Sequence, residues 1–363
     1  MLISADRIWT DGQLQTGLAI ETDGITVTDL RPRGRDRADL NVPLLMPGCT
    51  DLQVNGGGGV LLNTDPTVAG IEAIAAAHRR LGTVSILPTL ITDAPEVMEA
   101  AASAVIAAMG RPGIAGIHLE GPHLAPEKRG THDARHIRPL DGRTMAVLQR
   151  LRDADVPVLL TLAPELAAPD LLRRAARMGV VLSAGHSMAK ADQARQAMAD
   201  GVTMFTHLYN AMPQMNSRDP GMVAAAILSD AYCGMITDGI HVSADMLALT
   251  LAARPRKDRC FIVSDAMPTV GGPDRFQLYG QQIRVRDGAL INAEGSLAGA
   301  HINMLESLRR LIAMTPATLE QAIAMATDIP RQAMGLHPLR IAIGTPLADL
   351  IALDRDLHLT PLI

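Results

Sequence analysis

The sequence predicts an α/β fold: a (β/α)8 TIM-like barrel with a small β-sandwich domain formed from both chain termini. Its 363 residues suffice for one large domain with a sizeable core and a smaller one beside it. In the middle of the chain, short apolar runs alternate with helix-length segments, whereas both ends alternate apolar and polar residues. We therefore expect the small domain at 1–44 and 338–363, and the barrel at 45–337.

Both ends of the chain carry strand patterns of the antiparallel kind. The first stretch reads "LISADRIWTDGQLQTGLAIETDGITVTDL", in which Gly and Asp mark turns between alternating segments. The same texture returns near the end in "GTPLADLIALDRDLHL". We expect these two pieces to join into one β domain that flanks the barrel.

Eight candidate barrel strands follow one another between the two ends. They read "LLMPGCTDLQV", "TVSILPTL", "IAGIHLEG", "VPVLLTLA", "VVLSAGH", "MFTHLYNAM", "CGMITDG" and "CFIVSDAM". Helices fit several of the gaps, at 94–109, 189–200 and 243–253, and a β insertion is expected near 276–291. Because catalytic groups of such barrels lie at the C-terminal ends of strands, the polar residues that close these runs are the candidates for chemistry.

Composition and charge exclude several classes of function. A net charge of -5 and a pI of about 6.1 provide no basic field for a nucleic acid, and aromatic residues for base stacking make up only 2%. The first residues are charged where a signal peptide is apolar, and no run reaches the length of a membrane span. We expect a cytoplasmic protein without membrane or nucleic-acid partners. Cys49, Cys233 and Cys260 are too far apart in sequence to suggest a disulfide framework or a cysteine metal site.

Three strand ends carry residues that typically bind a metal. Glu120 closes "IAGIHLEG", His186 closes "VVLSAGH" and His207 lies in "MFTHLYNAM", on the third, fifth and sixth barrel strands. Taken alone, a histidine at a strand end is more often a structural hydrogen-bonding residue than a ligand. Together, two imidazoles and one carboxylate form the ligand set of a hydrolytic Zn²⁺, which keeps one position open for water.

A fourth strand end carries a candidate acid/base. Asp265 follows the apolar run of "CFIVSDAM". A carboxylate at this position beside a metal is placed to take a proton from water and return it to a leaving group. The alternative is an N-cap for the next helix, which a short polar side chain also favours.

A set of motifs along nearly the whole chain resembles one enzyme family. In order they are "PGCTDLQVNG", "GIHLEGPHL", "KRGTHDARH", "SAGHS", "THLYNAM", "TDGIH" and "VSDAM". Together they are similar to the N-acetylglucosamine-6-phosphate deacetylases of the amidohydrolase superfamily. The sequence departs from that pattern at Met188 and after Asp265, in "SDAMPTVGG", and both differences bear on sugar specificity more than on activity.

The resemblance implies one divalent metal ion per subunit, held by Glu120, His186 and His207. Zn²⁺ is the first expectation, and Fe²⁺, Co²⁺ and Mn²⁺ also suit such ligands. Gln53 and Asn55 stand where many related barrels have a pair of histidines on the first strand. Because neutral amides are poor ligands, they imply a single metal, and we expect Gln53 to orient the water on that metal.

The remaining assignments also rest on the resemblance. Asp265 corresponds to the catalytic acid/base, and His132 to a residue that contacts substrate and polarises the amide carbonyl. Arg218 corresponds to an arginine that binds the substrate phosphate from the neighbouring subunit of a homodimer. The implied substrate-binding set is Thr131, His132, Asn210, Ala211, Arg218, His241, Leu297, Ala298 and Gly299.

The implied reaction is hydrolysis of N-acetyl-D-glucosamine 6-phosphate, a phosphorylated amino sugar, to D-glucosamine 6-phosphate and acetate. Two alternatives stay open at this point. One is deacetylation of another N-acetylhexosamine 6-phosphate, notably the galactosamine epimer. The other is a different amidohydrolase activity on cyclic amides or N-acyl amino acids. His123 and His301 lie close in sequence to the candidate site, and their roles are undecided.

Overall fold

The computed structural model describes residues 1–35, 37–292 and 295–362. Its main strands are, in chain order, β1 (Leu2–Thr10), β2 (Gln13–Gln15), β3 (Leu18–Thr22), β4 (Val27–Pro32), β5 (Leu40–Pro47), β6 (Cys49–Val54), β7 (Gly56–Gly57), β8 (Val60–Leu61), β9 (Thr83–Ile91), β10 (Ile117–Glu120), β11 (Val158–Leu162), β12 (Val181–Ala184), β13 (Val202–Phe205), β14 (Tyr232–Met235), β15 (Cys260–Ile262), β16 (Arg275–Leu278), β17 (Gln281–Arg286), β18 (Ala289–Ile291), β19 (Leu297–Ala300), β20 (Leu350–Leu353) and β21 (Leu359–Thr360).

The α-helices alternate with the central strands. They are α1 (Val68–Arg79), α2 (Pro95–Ala108), α3 (Gly142–Asp153), α4 (Pro169–Arg177), α5 (Ala191–Ala199), α6 (Gly221–Ile227), α7 (Ala244–Ala253), α8 (Met304–Met314), α9 (Leu319–Ala326) and α10 (Asp328–Ala333). Several begin at a side chain that accepts a backbone N–H of the first turn: Thr67 before α1, Asp141 before α3 and Ser243 before α7. No helix in the described ranges is long and apolar enough to cross a membrane.

The two chain ends meet in one sheet, as predicted. Its order is β21-β20-β5-β1-β3-β4, with β2 paired to β1. The last strands join the first ones because β20 pairs antiparallel with β5, where Ile351 lies opposite Met46. Apolar residues from both ends fill a separate core under this sheet, among them Ile8, Leu45 and Leu350.

The central strands form the predicted barrel. Eight parallel strands follow the order β15-β14-β13-β12-β11-β10-β9-β6, which is also their order along the chain. They include all eight runs singled out in the sequence, and their side chains are almost entirely buried. The predicted helices at 94–109, 189–200 and 243–253 correspond to α2, α5 and α7 within two residues at each end. The parallel arrangement brings the C-terminal ends of all eight strands to one face.

The barrel closes between its first and last strands without a regular ladder. Val54 and Ala266 form an isolated parallel bridge, just beyond the end of β15. Deeper in this seam, the buried carboxylate of Asp51 accepts hydrogen bonds from the hydroxyl and the backbone N–H of Ser264. Burial raises the pKa of Asp51 to about 7. The seam therefore aligns residues 53–55 with residues 264–266, and that alignment positions the site.

The β insertion is larger than the predicted hairpin. Strands β16 to β19 form a four-stranded antiparallel sheet from Arg275 to Ala300, where the sequence suggested strands only at 276–291. Its apolar face packs on the barrel mouth through a small cluster that includes Leu61, Ile91 and Met267. This sheet therefore forms one wall above the C-terminal ends of the barrel strands.

Candidate active site

Three of the predicted ligands and acid/base residues have unusual backbone conformations. His186, His207 and Asp265 lie shortly after β12, β13 and β15, with φ values of 48°, 30° and 52°. Side chains other than glycine rarely adopt this left-handed region, which costs free energy and recurs at functional sites. At each position the chain turns sharply as it leaves the strand, and the side chain enters the barrel mouth.

The three predicted metal ligands converge. Nε2 of His186 lies 3.1 Å from Oε1 of Glu120, and Nε2 of His207 lies 3.0 Å from the same oxygen. The two Nε2 atoms are themselves 3.0 Å apart. All three side chains are buried, with at most 6% of each residue exposed. The structure thus places three ligand-type atoms at the corners of a small triangle.

The triangle fits a divalent metal ion. Tetrahedral zinc sites have metal–ligand bonds of roughly 2.0–2.1 Å, which separates neighbouring ligand atoms by about 3.3 Å. The observed separations are within a few tenths of an ångström of that value. His186 also donates its Nδ1 proton to the carbonyl oxygen of Lys128 over 2.8 Å, which leaves the Nε2 lone pair free for a metal.

A further histidine, His132, is an alternative to His207 as the third ligand. Ligand-type atoms of Glu120, His132 and His186 also lie within 4.8 Å of one another. However, Nδ1 of His132 faces the backbone N–H of Thr92, which donates to it over 3.3 Å. The remaining proton then resides on Nε2, which makes that atom a donor rather than a ligand. The geometry therefore favours His207 over His132 as the third ligand.

Two side-chain amides orient Asp265. Asn55 donates to Oδ1 of Asp265 over 2.7 Å, and Gln53 donates to the same atom over 3.2 Å. The same amide nitrogen of Gln53 lies 2.9 Å from Oε1 of Glu120. Gln53 thus links the candidate ligand to the candidate acid/base. Both amides donate to Oδ1, and Asp265 itself lines the cavity.

Burial disfavours the charged form of both carboxylates, but neighbouring groups shift their pKa values in opposite directions. Burial raises the pKa of Asp265 to about 6, and the negative charge of Glu120 contributes to that increase. Burial also opposes ionisation of Glu120, but hydrogen bonds and charges from His186 and His207 hold the pKa of Glu120 well below its usual range. Two neighbouring carboxylates with separated pKa values are typical of one ligand and one proton-transfer group.

A cavity of about 420 Å³ opens above these residues. Most of the predicted substrate-binding residues line it: Thr131, His132, Asn210, Ala211, His241, Leu297 and Gly299. Nδ1 of His241 lies 2.6 Å from Oδ2 of Asp238, and this contact holds the His241 ring in place. The structure therefore brings together side chains from distant parts of the barrel and from the β insertion.

Other predicted residues lie outside the cavity wall. Ala298 is fully buried and packs in the cluster under the β insertion. Arg218 is exposed in the loop before α6 and does not line the cavity. His123 is buried with Nδ1 3.0 Å from the carbonyl oxygen of Arg138, and Nδ1 of His301 lies 2.9 Å from the hydroxyl of Thr269. Neither of these two histidines lines the cavity.

Several residues that line the cavity are not indicated by the sequence, and two of them hold other site residues in place. The sequence presents Asn55 only as the replacement of a metal ligand, whereas in the structure its amide donates to Asp265. Lys128, in the "KRGTH" motif, lines the cavity and supplies the carbonyl oxygen that fixes the His186 ring. Its position four residues before His132 was a usable signal, because a conformation that brings one into the site also brings the other near.

Comparison with known proteins decides the family. The model of the amidohydrolase family matches residues 44–362. The chain belongs to the amidohydrolase family. An N-acetylgalactosamine-6-phosphate deacetylase from Shewanella sp. (strain ANA-3) is 37% identical over 98% of this chain and 92% of that protein. The human N-acetylglucosamine-6-phosphate deacetylase is 33% identical over 89% of this chain and 82% of that protein.

Solved structures agree with the amidohydrolase assignment. An N-acetylglucosamine-6-phosphate deacetylase from Pasteurella multocida superposes with a TM-score of 0.90 at 31% identity, covering 99% of this chain and 97% of that one. A mutant of the Mycobacterium smegmatis enzyme, in complex with N-acetyl-D-glucosamine-6-phosphate, gives 0.91 at 30% identity, covering 99% and 96%. The prediction of an amidohydrolase enzyme related to these deacetylases, with a TIM-like barrel and a terminal β domain, is confirmed.

Proposed function

We propose that this amidohydrolase hydrolyses N-acetyl-D-glucosamine 6-phosphate to D-glucosamine 6-phosphate and acetate. The observation that carries the proposal is the convergence of Glu120, His186 and His207 within 3.1 Å, beside a carboxylate held by two amides. Relatives that deacetylate phosphorylated amino sugars cover most of the chain and support the choice of substrate class.

We propose one divalent metal ion, Zn²⁺ in the first instance, on Glu120, His186 and His207. The ion would supply Lewis acidity that makes a water molecule reactive near neutral pH. We assign the orientation of that water to Gln53 because its amide nitrogen lies between the proposed ligand Glu120 and Asp265. Because the first-strand positions carry neutral amides, a second ion finds no comparable set of ligands there.

Asp265 is the proposed acid/base. Its free carboxylate oxygen takes a proton from the attacking water as the new C–O bond forms on the acetyl carbon. The same oxygen then gives that proton to the sugar nitrogen as the C–N bond breaks, which releases an amine and acetate. Asn55 and Gln53 keep the carboxylate in one orientation during both transfers.

His132 is the proposed donor to the developing oxyanion. Its Nε2 carries the proton, since Nδ1 accepts the backbone N–H of Thr92. Burial lowers the pKa of His132 to about 3, so the ring is neutral at ordinary pH. A fixed neutral donor in a buried site stabilises negative charge on the acetyl oxygen, an effect worth roughly 3–4 kcal/mol.

The substrate phosphate is assigned to Arg218 of a neighbouring subunit in a homodimer. Arg218 is exposed and lies away from its own cavity, so an interaction within one subunit has no support in the geometry. Asn210 and Ala211 line the cavity wall at the start of the same loop and provide polar groups near it. A phosphate held at this edge would fix the acetamide group relative to Asp265.

The galactosamine epimer is a second candidate substrate. The Shewanella relative, which matches 98% of this chain, is a deacetylase for N-acetylgalactosamine 6-phosphate. The two sugars differ in the orientation of one hydroxyl group. Side chains in the cavity wall determine which of the two orientations is accepted.

The test is acetate release by the Zn²⁺-loaded protein from both phosphorylated epimers and from both unphosphorylated sugars. We expect the highest kcat/KM with N-acetylglucosamine 6-phosphate and poor turnover without a phosphate. A preference for the epimer keeps the mechanism and changes the substrate. Equal turnover with and without phosphate contradicts the proposed substrate class.

A further inference from the structure

We propose that Thr92 is a positioning residue that holds His132 in the orientation and tautomer required for catalysis. The inference rests on the proposed function, because it concerns how the proposed oxyanion donor is kept in place. Thr92 directly follows β9 and is 1% exposed. It contacts the ring of His132, through which it would act on the reaction. Thr92 itself lies behind the cavity wall, whereas His132 lines the cavity.

Thr92 contacts one ring nitrogen of His132 twice. Its hydroxyl oxygen lies 2.8 Å from Nδ1, and its backbone nitrogen lies 3.3 Å from the same atom. A backbone N–H is always a donor, so Nδ1 must be the acceptor. A threonine hydroxyl adapts its proton to either partner, and here it also donates to Nδ1. The backbone contact therefore selects the tautomer that carries its proton on Nε2, and the hydroxyl, which donates to the same nitrogen, holds the ring in that orientation.

The other tautomer would fail in the proposed reaction. With the proton on Nδ1, the ring would face the Thr92 N–H with another N–H, and Nε2 would present a lone pair to the acetyl oxygen. Two acceptors repel, so the oxyanion would lose its donor. Burial already disfavours the charged form, which would donate from both nitrogens. The neutral Nε2–H form is thus the one that Thr92 preserves.

Neighbouring groups hold Thr92 rigidly. The hydroxyl of Tyr279, in the β insertion, donates to the carbonyl oxygen of Thr92. On the other side lies Gly121, directly after the proposed ligand Glu120. A Cβ on Gly121 would overlap the hydroxyl oxygen of Thr92, and the φ of +80° at Gly121 favours glycine as well. Space and hydrogen bonding therefore both fix the hydroxyl on His132.

The experiment compares Thr92→Val with Thr92→Ser. Valine keeps the shape and removes the hydroxyl, whereas serine keeps the hydroxyl. We expect Thr92→Val to lower kcat about 10- to 100-fold with a change in KM below about threefold, a smaller loss than removal of an oxyanion donor itself. Thr92→Ser, which retains the hydroxyl, should keep kcat within about threefold of the wild type. Thr89→Val controls for general disturbance of β9, because the buried Thr89 hydroxyl contacts the backbone and Nδ1 of His118 but not His132.

A second readout separates positioning from simple loss of folding. A trifluoroacetyl group makes the carbonyl carbon more electrophilic, so its hydrolysis depends less on polarisation by His132. The kcat defect of Thr92→Val should shrink at least about threefold with the N-trifluoroacetyl substrate, whereas a folding defect would affect both substrates equally.

A third readout does not involve activity. ¹⁵N chemical shifts of histidine distinguish the two neutral tautomers, and the resonances of His132 are identified by their loss in His132→Gln. We expect the Nε2–H tautomer in the wild type and in Thr92→Ser. The Nδ1–H tautomer in the wild type, or equal defects on both substrates, would overturn the proposal. Because the tautomer is observed without substrate, this result stands apart from whether the proposed deacetylation occurs.

Discussion

Replacing Asp265 with asparagine separates catalysis from stability. The two amides that donate to Oδ1 of Asp265, from Asn55 and Gln53, can donate equally well to the amide oxygen of the replacement. The local structure should therefore survive. General acid/base catalysis contributes roughly 10²- to 10⁴-fold to rate, so kcat should fall by about that factor, equivalent to about 3–5 kcal/mol. KM should change by less than about threefold.

The same change should stabilise the metal-free protein. Burial and the charge of Glu120 raise the pKa of Asp265 from 3.8 to about 6. Because the folded-state value is the higher one, the neutral carboxyl is favoured in the fold, and the ionised form costs stability once pH rises through this range. At 1.36 kcal/mol per pKa unit, the cost at pH 7 is at most about 3 kcal/mol, and about half of that at pH 5. Asparagine is neutral throughout.

Two assays test this pair of effects. Acetate release measures kcat for the metal-loaded variant, with the metal content of each preparation determined alongside. Urea unfolding of the metal-free proteins at pH 7 and pH 5 measures the stability difference. A variant with kcat within about tenfold of the wild type would refute the role of Asp265 as acid/base. A metal-free variant less stable than the wild type at pH 7 would refute the electrostatic account.

Three further predictions follow from individual side chains. Glu120→Gln should weaken metal binding by at least about 100-fold in a chelator competition with the fold intact by circular dichroism, whereas wild-type affinity would remove Glu120 from the ligand set. Arg218→Ala should raise KM for the phosphorylated sugar at least about tenfold in steady-state kinetics, and an unchanged KM would argue against the contact between subunits. Burial lowers the pKa of His78 from 6.5 to about 4, so stability is lost as pH falls through this interval, by about 2 kcal/mol at pH 5. Urea unfolding at pH 7 and pH 5 should show less acid sensitivity in His78→Gln, and equal sensitivity would contradict this assignment.

The barrel was predictable because its signals are local. Each of the eight strands is a short apolar run, and the residue types at the strand ends are those of a metal-dependent hydrolase. The β insertion was predicted too small, because its last strand, Leu297–Ala300, is a run of small and apolar residues without the alternation that marks a surface strand.

The contacts that organise the site were not predictable from local patterns. Asn55 and Asp265 are 210 residues apart in the chain, and Thr92 and His132 are 40 apart. Asn55, Thr92 and Asp265 follow parallel strands whose C-terminal ends meet at one face, whereas His132 reaches that face from the loop after β10. No periodicity in the sequence specifies which side chains then touch. The sequence indicates only that Asn55 replaces a metal ligand. Residue type alone does not show that the amide of Asn55 donates a hydrogen bond to Asp265.

A titration of the metal-free protein with Zn²⁺, followed by acetate release from N-acetylglucosamine 6-phosphate, tests the proposed single-metal mechanism. We expect no turnover without metal and a rise to a plateau at one Zn²⁺ per subunit. In the same titration, Asp265→Asn should bind the metal but remain nearly inactive. Full turnover in the metal-free protein, or a plateau only at two Zn²⁺ per subunit, would contradict the single-metal mechanism.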